Sequence, residues 1–366
     1  MNGITRRELF GGALALGASV GVASLSGCEA QDTPQKEEPE DHRPKSNGRS
    51  DIDSAPTALP SDITNLPEIT ATLWVTVSDD AADRMEGPIF DEKGALYVCH
   101  RHTPSDGRVK TSKVLKISAD KQVDTFYELE GGDFNGLALH EDGRLFIADM
   151  SGHIRVVDEK GEALDELPCF CGEVAILPND LVFGKNGDLY IANFAGNALN
   201  PAGGVYRLTA ESKYQTMVVF QEGLHTPNGL CFSNDYQSLW VAETSTNRIL
   251  KIGVAEDGSA KTGFLDVSVV YQGQGSAGPD STRVDEKGNV YQAYYPGGRA
   301  LVLNASGVPV ANILVENREI GDALFTASIA LRPNETKGYL LSCGARGANI
   351  MEFESLAAPT LRYFEV

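Results

Sequence analysis

Five side chains with amide or carboxylate oxygens stand at equivalent positions of a repeated sequence segment. This set, called here the polar ring, consists of Glu86, Asn135, Asn179, Asn228 and Asp280, and Ala327 takes the sixth position. Asn and Asp are also common turn formers, so each residue alone is weak evidence. Recurrence at one register in five copies instead predicts that the side chains share one site. Such oxygens, without His or Cys, predict a Ca²⁺ site, with Mg²⁺ or Mn²⁺ as alternatives.

Two neighbours of the polar ring are candidates for moving a proton. A cation held by only four or five protein oxygens keeps open positions, which can polarise a carbonyl group as water attacks it. A general base must then lie within hydrogen-bonding reach. We predict Asp180 as this base, although it could equally serve to orient its neighbour Asn179. His225 is the second candidate, and an ordinary surface histidine is the alternative interpretation.

The repeat itself predicts the architecture. Each copy has an apolar residue, a polar turn that usually contains Gly, and an apolar strand. The copies open at Phe90, Leu139, Phe183, Phe232, Val284 and Leu331. The first strand residues after the turns are Leu96, Leu145, Leu189, Leu239, Val290 and Tyr339, at intervals of 49, 44, 50, 51 and 49 residues. This period fits four short strands, so the chain is predicted to be an all-β, six-bladed β-propeller with four-stranded blades.

Two further patterns support strands and a closed ring. A second alternating run follows each copy, near Ser112, His153, Gly204, Arg248, Arg299 and Asn349. Strand-like segments also occur at 72–77 and 360–366, at opposite ends of the globular part. Because an open ring would leave two unpaired edges, we predict that these N- and C-terminal strands join one blade.

The first 28 residues are predicted to be a targeting signal. Arg6 and Arg7 are typical of twin-arginine export, and the apolar run ends at Cys28 as in bacterial lipoproteins, with a plain secretory signal as the alternative. The run is shorter than the roughly 20 residues of a spanning helix. Lipidation of Cys28 would anchor the protein to the outer face of the bacterial cytoplasmic membrane, in the cell envelope.

Composition limits the remaining possibilities. Residues 29–66 are rich in Pro, Glu, Asp, Lys and Ser, which predicts a disordered tether and leaves 67–366 for the propeller. A formal charge of −20 argues against binding to nucleic acid or anionic lipid, so membrane contact is predicted only through the anchor. The other five cysteines are predicted to be structural, and the protein is predicted to be a monomer.

The sequence segments around the polar ring resemble the gluconolactonase and regucalcin (senescence marker protein) family of metal-dependent hydrolases. The runs LYIANFAGNALNPAGGVYRL (189–208), LWVAETSTNRI (239–249) and GPDS (278–281) are similar to its drug-responsive lactonase branch. The resemblance implies that the catalytic cation is bound by Glu86, Asn179, Asn228 and Asp280, with Ser281 as an added ligand. Asn135 lies outside the family's usual ligand set, and we predict that it contacts substrate or water.

The resemblance therefore implies a calcium-dependent lactonase that opens the ester of a small lactone. Two alternatives stay open, because fold does not decide function. One is a non-catalytic cell-surface propeller that binds a ligand, and the other is a metal-dependent phosphotriesterase.

Overall fold

The computed structural model describes residues 57–103 and 111–359, apart from the side chain of Pro168. These residues form strands, with two short 3₁₀ helices at Thr244–Thr246 and Arg318–Ile320. None of the helices in these two ranges is long and apolar enough to span a membrane. The predicted signal, Cys28, most of the tether and the predicted strand at 360–366 lie outside the described residues.

Four separate antiparallel sheets follow the first strand, β1 (Glu68–Ser78). The first contains β2 (Asp83–Phe90), β3 (Leu96–His102), β4 (Thr111–Ile117) and β5 (Val123–Glu130). The second contains β6 (Phe134–Leu139), β7 (Leu145–Asp149), β8 (His153–Val157) and β9 (Ala163–Pro168), and is followed by a ribbon of β10 (Phe170–Cys171) and β11 (Val174–Ala175). The third contains β12 (Pro178–Phe183), β13 (Leu189–Asn193), β14 (Gly203–Leu208) and β15 (Met217–Leu224). The fourth contains β16 (Pro227–Phe232), β17 (Ser238–Glu243), β18 (Arg248–Gly253) and β19 (Val267–Gln272).

The remaining strands form one eight-stranded sheet. They are β20 (Gly278–Val284), β21 (Val290–Tyr295), β22 (Arg299–Leu303), β23 (Pro309–Val315), β24 (Ile329–Leu331), β25 (Lys337–Gly344) and β26 (Gly347–Glu354). Their order is β20-β21-β22-β23-β1-β26-β25-β24, and only β23 and β1 pair in parallel. The fold is therefore all-β and propeller-like, as the repeat predicted, and four of the predicted six blades form separate four-stranded sheets.

The first strand joins the last ones. Residues 72–77, predicted as a strand, lie in β1, where Thr72 pairs with Glu352 of β26. The residues just before β1 also pack on this domain, since Ile63 is fully buried beside Tyr271 and Tyr294. Asp62 accepts a 2.7 Å hydrogen bond from the Tyr271 hydroxyl. Residues 57–66 thus belong to the folded part, ahead of the predicted boundary at residue 67.

The strands begin where the repeat places them. Strands β3, β7, β13 and β21 start at the predicted residues Leu96, Leu145, Leu189 and Val290, and β8, β18 and β22 start at residues of the second run. The first turn shows the local cause. Asp91 accepts backbone N–H groups from Lys93 and Ala95, and Gly94 adopts φ +79, which glycine tolerates without steric cost.

The core lies between the sheets. Phe146 of the second sheet and Phe183 of the third meet edge to face at 5.3 Å, within one buried cluster. The innermost strands also contact one another in a closed series, in which β2 meets β6, β6 meets β12, β12 meets β16, β16 meets β20, β20 meets β24 and β24 meets β2. The five cysteines of the described residues are unpaired, and all but Cys171 are buried.

Candidate metal centre

Each residue of the polar ring lies at an irregularity of an innermost strand. The pairing register shifts after Glu86, and it shifts across the positions of Asn135, Asn179, Asn228 and Asp280. A β-bulge of this kind turns a side chain away from the regular alternation. All five strands therefore leave the regular side-chain alternation at equivalent positions, which are those of the polar ring.

Equivalent positions converge at both ends of these strands. The residues that open the six copies, four positions after the ring positions, all line one apolar cavity of about 160 Å³. At the other end, neighbouring ring segments touch directly. A side chain at Gly87 would meet the Asn135 carbonyl oxygen at 2.3 Å, and one at Gly229 would meet the Asp280 carbonyl oxygen at 2.3 Å. The structure thus stacks a polar layer and an apolar layer along the same inner strands.

The half-buried Glu86 and the buried Asp280 and Asn228 dominate the ring. Burial, and next the negative charge of Glu86, raise the pKa of Asp280 well above its usual value. The Asn228 amide hydrogen-bonds with Asp280, and the Asn228 side-chain oxygen is buried without a hydrogen-bond partner. A buried acceptor without a donor, beside two carboxylates, is unfavourable unless a cation binds there. Glu86, Asn228 and Asp280 therefore fit a hard divalent cation.

The other predicted ligands border this group. Asn179 is half-buried, and its amide nitrogen lies 3.9 Å from the Met150 sulfur. The Ser281 hydroxyl lies 2.9 Å from the Ser328 hydroxyl, and Ser328 in turn donates a 2.7 Å hydrogen bond to Glu86. The Ser328 hydroxyl thus links Ser281 to the Glu86 carboxylate.

Asn135 has a different environment. Arg101 donates a 2.7 Å hydrogen bond to the Asn135 side-chain oxygen and a 2.8 Å bond to Asp133. The Asn135 amide nitrogen donates to the Asp133 carbonyl oxygen at 3.0 Å. Because its oxygen already faces a guanidinium group, Asn135 is a poor cation ligand, which agrees with its separation from the implied ligand set.

Asp180 lies deeper than its neighbour. Its side chain is buried, and its carboxylate oxygens accept the backbone N–H groups of Leu181 at 2.9 Å and Leu230 at 3.0 Å. Burial raises the pKa of Asp180, and Arg283, 3.7 Å away, partly offsets this effect. The carboxylate therefore links β12 to β16 beside the ring and keeps lone pairs for a further donor.

His225 lies in a separate polar network with Arg248 and Glu243. Arg248 approaches His225 Nδ1 at 3.0 Å and also pairs with the fully buried Glu243 carboxylate at 2.5 Å. The Glu243 carboxylate also lies 3.5 Å from the same Nδ1 atom. His225 Nδ1 is thus already engaged within this network, whereas Asp180 lies beside Asn179.

Comparisons with known proteins identify the family. The model of the "SMP-30/Gluconolactonase/LRE-like region" matches residues 73–327. The chain belongs to the SMP-30/gluconolactonase/LRE-like family. A relative named lactonase drp35, from Staphylococcus haemolyticus, is 33% identical over 265 residues, which cover 71% of this chain and 78% of the relative.

Solved structures of the SMP-30/gluconolactonase/LRE-like type share the fold. Regucalcin from Agrobacterium tumefaciens, described as a calcium-binding protein, is 16% identical with a TM-score of 0.59 and covers 80% of this chain and 99% of its own. A gluconolactonase from Xanthomonas campestris is 21% identical with a TM-score of 0.59 and covers 76% of this chain and 88% of its own.

The sequence did not reveal several residues of this family member's site. Ser328 could have been found, because it follows ring position Ala327 as Ser281 follows Asp280. Arg101 carries no spacing signal, since only folding brings it to Glu86. Tyr295 and Phe325 stack at 5.3 Å with Arg84 over Phe325 at 4.7 Å, and the pKa of Tyr295, raised chiefly by burial, also responds to Glu86 and Asp280. An aromatic wall therefore stands near the ring.

Proposed function

We propose that this protein is a lactonase that opens the ester of a small lactone with the help of a divalent cation. The observation that carries the proposal is the buried group of Glu86, Asn228 and Asp280 with its unpartnered amide oxygen. The family membership and the curated relatives named lactonase supply the reaction class. The comparisons favour neither the binding propeller nor the phosphotriesterase.

Glu86, Asn179, Asn228, Asp280 and Ser281 would hold the cation, and Ca²⁺ is our first choice, with Mg²⁺ or Mn²⁺ as alternatives. The oxygen-only donor set and the calcium-binding regucalcin of similar fold support Ca²⁺. When bound, the cation supplies polarisation of the lactone carbonyl and stabilisation of the negative charge that develops on its oxygen.

Asp180 is our candidate general base. Its carboxylate would take a proton from the attacking water. It would then give this proton to the ester oxygen of the lactone as the ester bond breaks, so that the product is a hydroxy acid. Two backbone N–H groups hold the carboxylate in place, and burial raises its pKa toward that of a working base. The alternative is that Asp180 acts only by positioning Asn179, and His225 remains the second candidate for the base.

We also propose that the eight-stranded sheet comprises two blades, which makes six in all. Its halves, β20 to β23 and β1 with β26 to β24, are joined by strand pairing only at the parallel pair of β23 and β1. The closed series of inner-strand contacts and the shared apolar cavity support this count.

The localisation is a further part of the proposal. A twin-arginine signal with lipidation at Cys28 would export the protein as a monomer and anchor it to the cell envelope. Metabolic labelling with a fatty acid tests this anchoring, with Cys28→Ser as the control variant.

The test of function compares purified protein with and without a chelator on a small lactone panel and one organophosphate. We expect lactone turnover that EDTA abolishes and Ca²⁺ restores. EDTA should also lower the melting temperature, because a cation bound only by the native state stabilises it by mass action. Absence of lactone turnover with Ca²⁺ would contradict the lactonase, and an unchanged melting temperature after chelation would contradict the metal site.

A further inference from the structure

A second cluster of metal-ligating groups lies apart from the polar ring. Potential ligand atoms of Asp80, Asp83 and His102 all lie within 4.8 Å of one another. His102 Nδ1 is 2.8 Å from Asp83 Oδ1 and 3.6 Å from Asp80 Oδ2. Unlike the polar ring, this cluster contains an imidazole.

Strand pairing places these residues. Asp83 of β2 is directly opposite His102 of β3 in the antiparallel register. His100 and His102 are two residues apart on β3, so their side chains leave the same face of the sheet. Arg101, between them, leaves the other face and reaches Glu86 and Asp133. Asp80 is fixed in the turn before β2, where its Oδ1 accepts the Ala82 N–H at 2.8 Å.

The distances between these ligand atoms suit a small tetrahedral ion. Bonds of about 2.0–2.2 Å from a tetrahedral zinc ion separate its ligand atoms by about 3.3–3.5 Å. The two measured separations from His102, 2.8 and 3.6 Å, bracket this range. Both separations from His102 therefore come within about half an ångström of those in a tetrahedral site.

His100 supplies a second, independent observation. Its buried Nε2 atom lies 3.1 Å from Asp83 Oδ2, so a second imidazole contacts the same carboxylate. Asp83 is itself buried, whereas His102 and Asp80 have side chains 42% and 53% exposed. The Asp83 carboxylate thus lies between two imidazoles, with Oδ2 near His100 and Oδ1 near the more exposed His102.

We propose that Asp80, Asp83 and His102 bind a zinc ion, and that His100 orients Asp83 for this role. One imidazole with two carboxylates is a donor set found for zinc, and imidazole favours zinc over Ca²⁺. The three protein ligands leave a fourth position for water.

The test titrates Zn²⁺ into the full, untagged chain in the presence of saturating Ca²⁺, by calorimetry. One zinc ion should bind, and Co²⁺ in its place should show the absorption of a tetrahedral site. His102→Gln should weaken zinc binding by more than the roughly 10–100-fold that loss of an outer partner costs, and His100→Gln should cost about that much.

Two control variants separate this site from the rest of the molecule. His225→Gln removes a histidine outside the cluster, and Asp280→Ala disrupts the polar ring, so both should keep the zinc affinity. Zinc should raise the melting temperature of the wild type but not of His102→Gln. A cooperative melting transition of His102→Gln without zinc also shows that this variant is folded. No zinc binding, unchanged affinity in His102→Gln, or loss of the site in Asp280→Ala would each overturn the proposal. The zinc test is independent of lactone turnover.

Discussion

Ser328 donates a 2.7 Å hydrogen bond to the Glu86 carboxylate, although 242 positions separate the two residues. Ser328 follows Ala327, the one ring position without an oxygen in its side chain. Its hydroxyl also contacts Ser281 at 2.9 Å. The sixth copy of the repeat therefore contributes to the polar ring through Ser328, which takes over from Ala327.

Removal of this hydroxyl should weaken the proposed cation site. Outer partners of metal ligands typically contribute 10–100-fold in affinity, so we expect a loss of about that size for Ca²⁺ in Ser328→Ala. Calorimetry measures it, with Ser118→Ala as the control, because the Ser118 hydroxyl bonds Asp120 on the exposed surface. Equal affinities of Ser328→Ala and wild type would show that Glu86 needs no such partner.

Asp280 and Asn135 should differ in their effect on Ca²⁺ binding. Asp280→Ala removes a full negative charge from the buried group and should abolish binding. Asn135→Ala removes an oxygen that already accepts a hydrogen bond from Arg101, and binding should be largely kept. If calorimetry gave equal losses for the two variants, Asn135 would have to be counted among the ligands.

Asp180→Asn tests the general base. Turnover should fall roughly 10²–10⁴-fold while Ca²⁺ affinity holds within a few-fold. The new amide group also faces one of the N–H groups of Leu181 and Leu230, which costs about 1–3 kcal/mol of stability, so a melting curve must accompany the assay.

The same Asp180→Asn assay, run across a Ca²⁺ titration, distinguishes the positioning role. Recovery of turnover at saturating Ca²⁺ would remove Asp180 as the base and leave His225. His225→Gln, measured in parallel, should keep most of the activity, because Arg248 already occupies Nδ1.

Glu352 should make stability depend on pH. Burial raises the pKa of Glu352, but hydrogen bonds from Lys337 and Tyr339 outweigh it and hold the pKa below the usual 4.5. A lowered folded-state pKa contributes stability above the unfolded value, and this contribution is lost as the pH falls through the folded pKa. Glu352→Gln should therefore cost at most about 1 kcal/mol near neutrality and nothing in strong acid.

Urea unfolding of the Glu352→Gln variant at several pH values measures this difference. The exposed Glu159→Gln serves as the control and should change little at any pH. A stability difference for Glu352→Gln that grows as the pH falls would contradict the assignment.

Gly136→Ala should disturb the polar ring through its backbone. The new methyl group would lie 2.5 Å from the Asn179 carbonyl oxygen and 2.7 Å from the Asp180 Cα. We expect a loss of about 1–3 kcal/mol in stability together with weaker Ca²⁺ binding. Gly131→Ala, where φ is +74 and no atom lies within 4 Å, should cost stability only. Unchanged Ca²⁺ affinity in Gly136→Ala would show that the ring tolerates a shift of Asn179.

The repeat predicted the inner half of each sheet better than the outer half. The strand that starts at Leu145 is buried along its whole length and the one that starts at Leu96 over its first four residues, so their apolar runs stand out in the sequence. The outer strands β5 and β9 carry mostly exposed residues and leave little periodic signal. In the fourth and sixth copies the strands start at Ser238 and Lys337, one and two residues before the predicted Leu239 and Tyr339.

The sequence predicted only those site residues that stand at equivalent positions of the repeat. The ring positions share that register, and the structure gives them a common β-bulge that no single Asn or Asp reveals. Arg101 reaches Glu86 within the β2–β3 pair and Asn135 on β6, and the second contact depends on how the two sheets pack, which spacing along the chain does not encode. Asp80 and His102 meet because β2 pairs with β3 and places Asp83, three residues after Asp80, opposite His102.

The pairing of β1 with β26 also sets the order of events in folding. Thr76 of β1 donates a 2.8 Å hydrogen bond to Asn349, 273 positions later, and β1 pairs on its other edge with β23. Such non-local pairs are slow to form, because the loop-closure entropy is lost before any contact compensates for it. During synthesis β1 must therefore wait for nearly the whole chain, and the intermediate with β1 unpaired, which exposes the edges of β23 and β26, is the one that must be protected from aggregation.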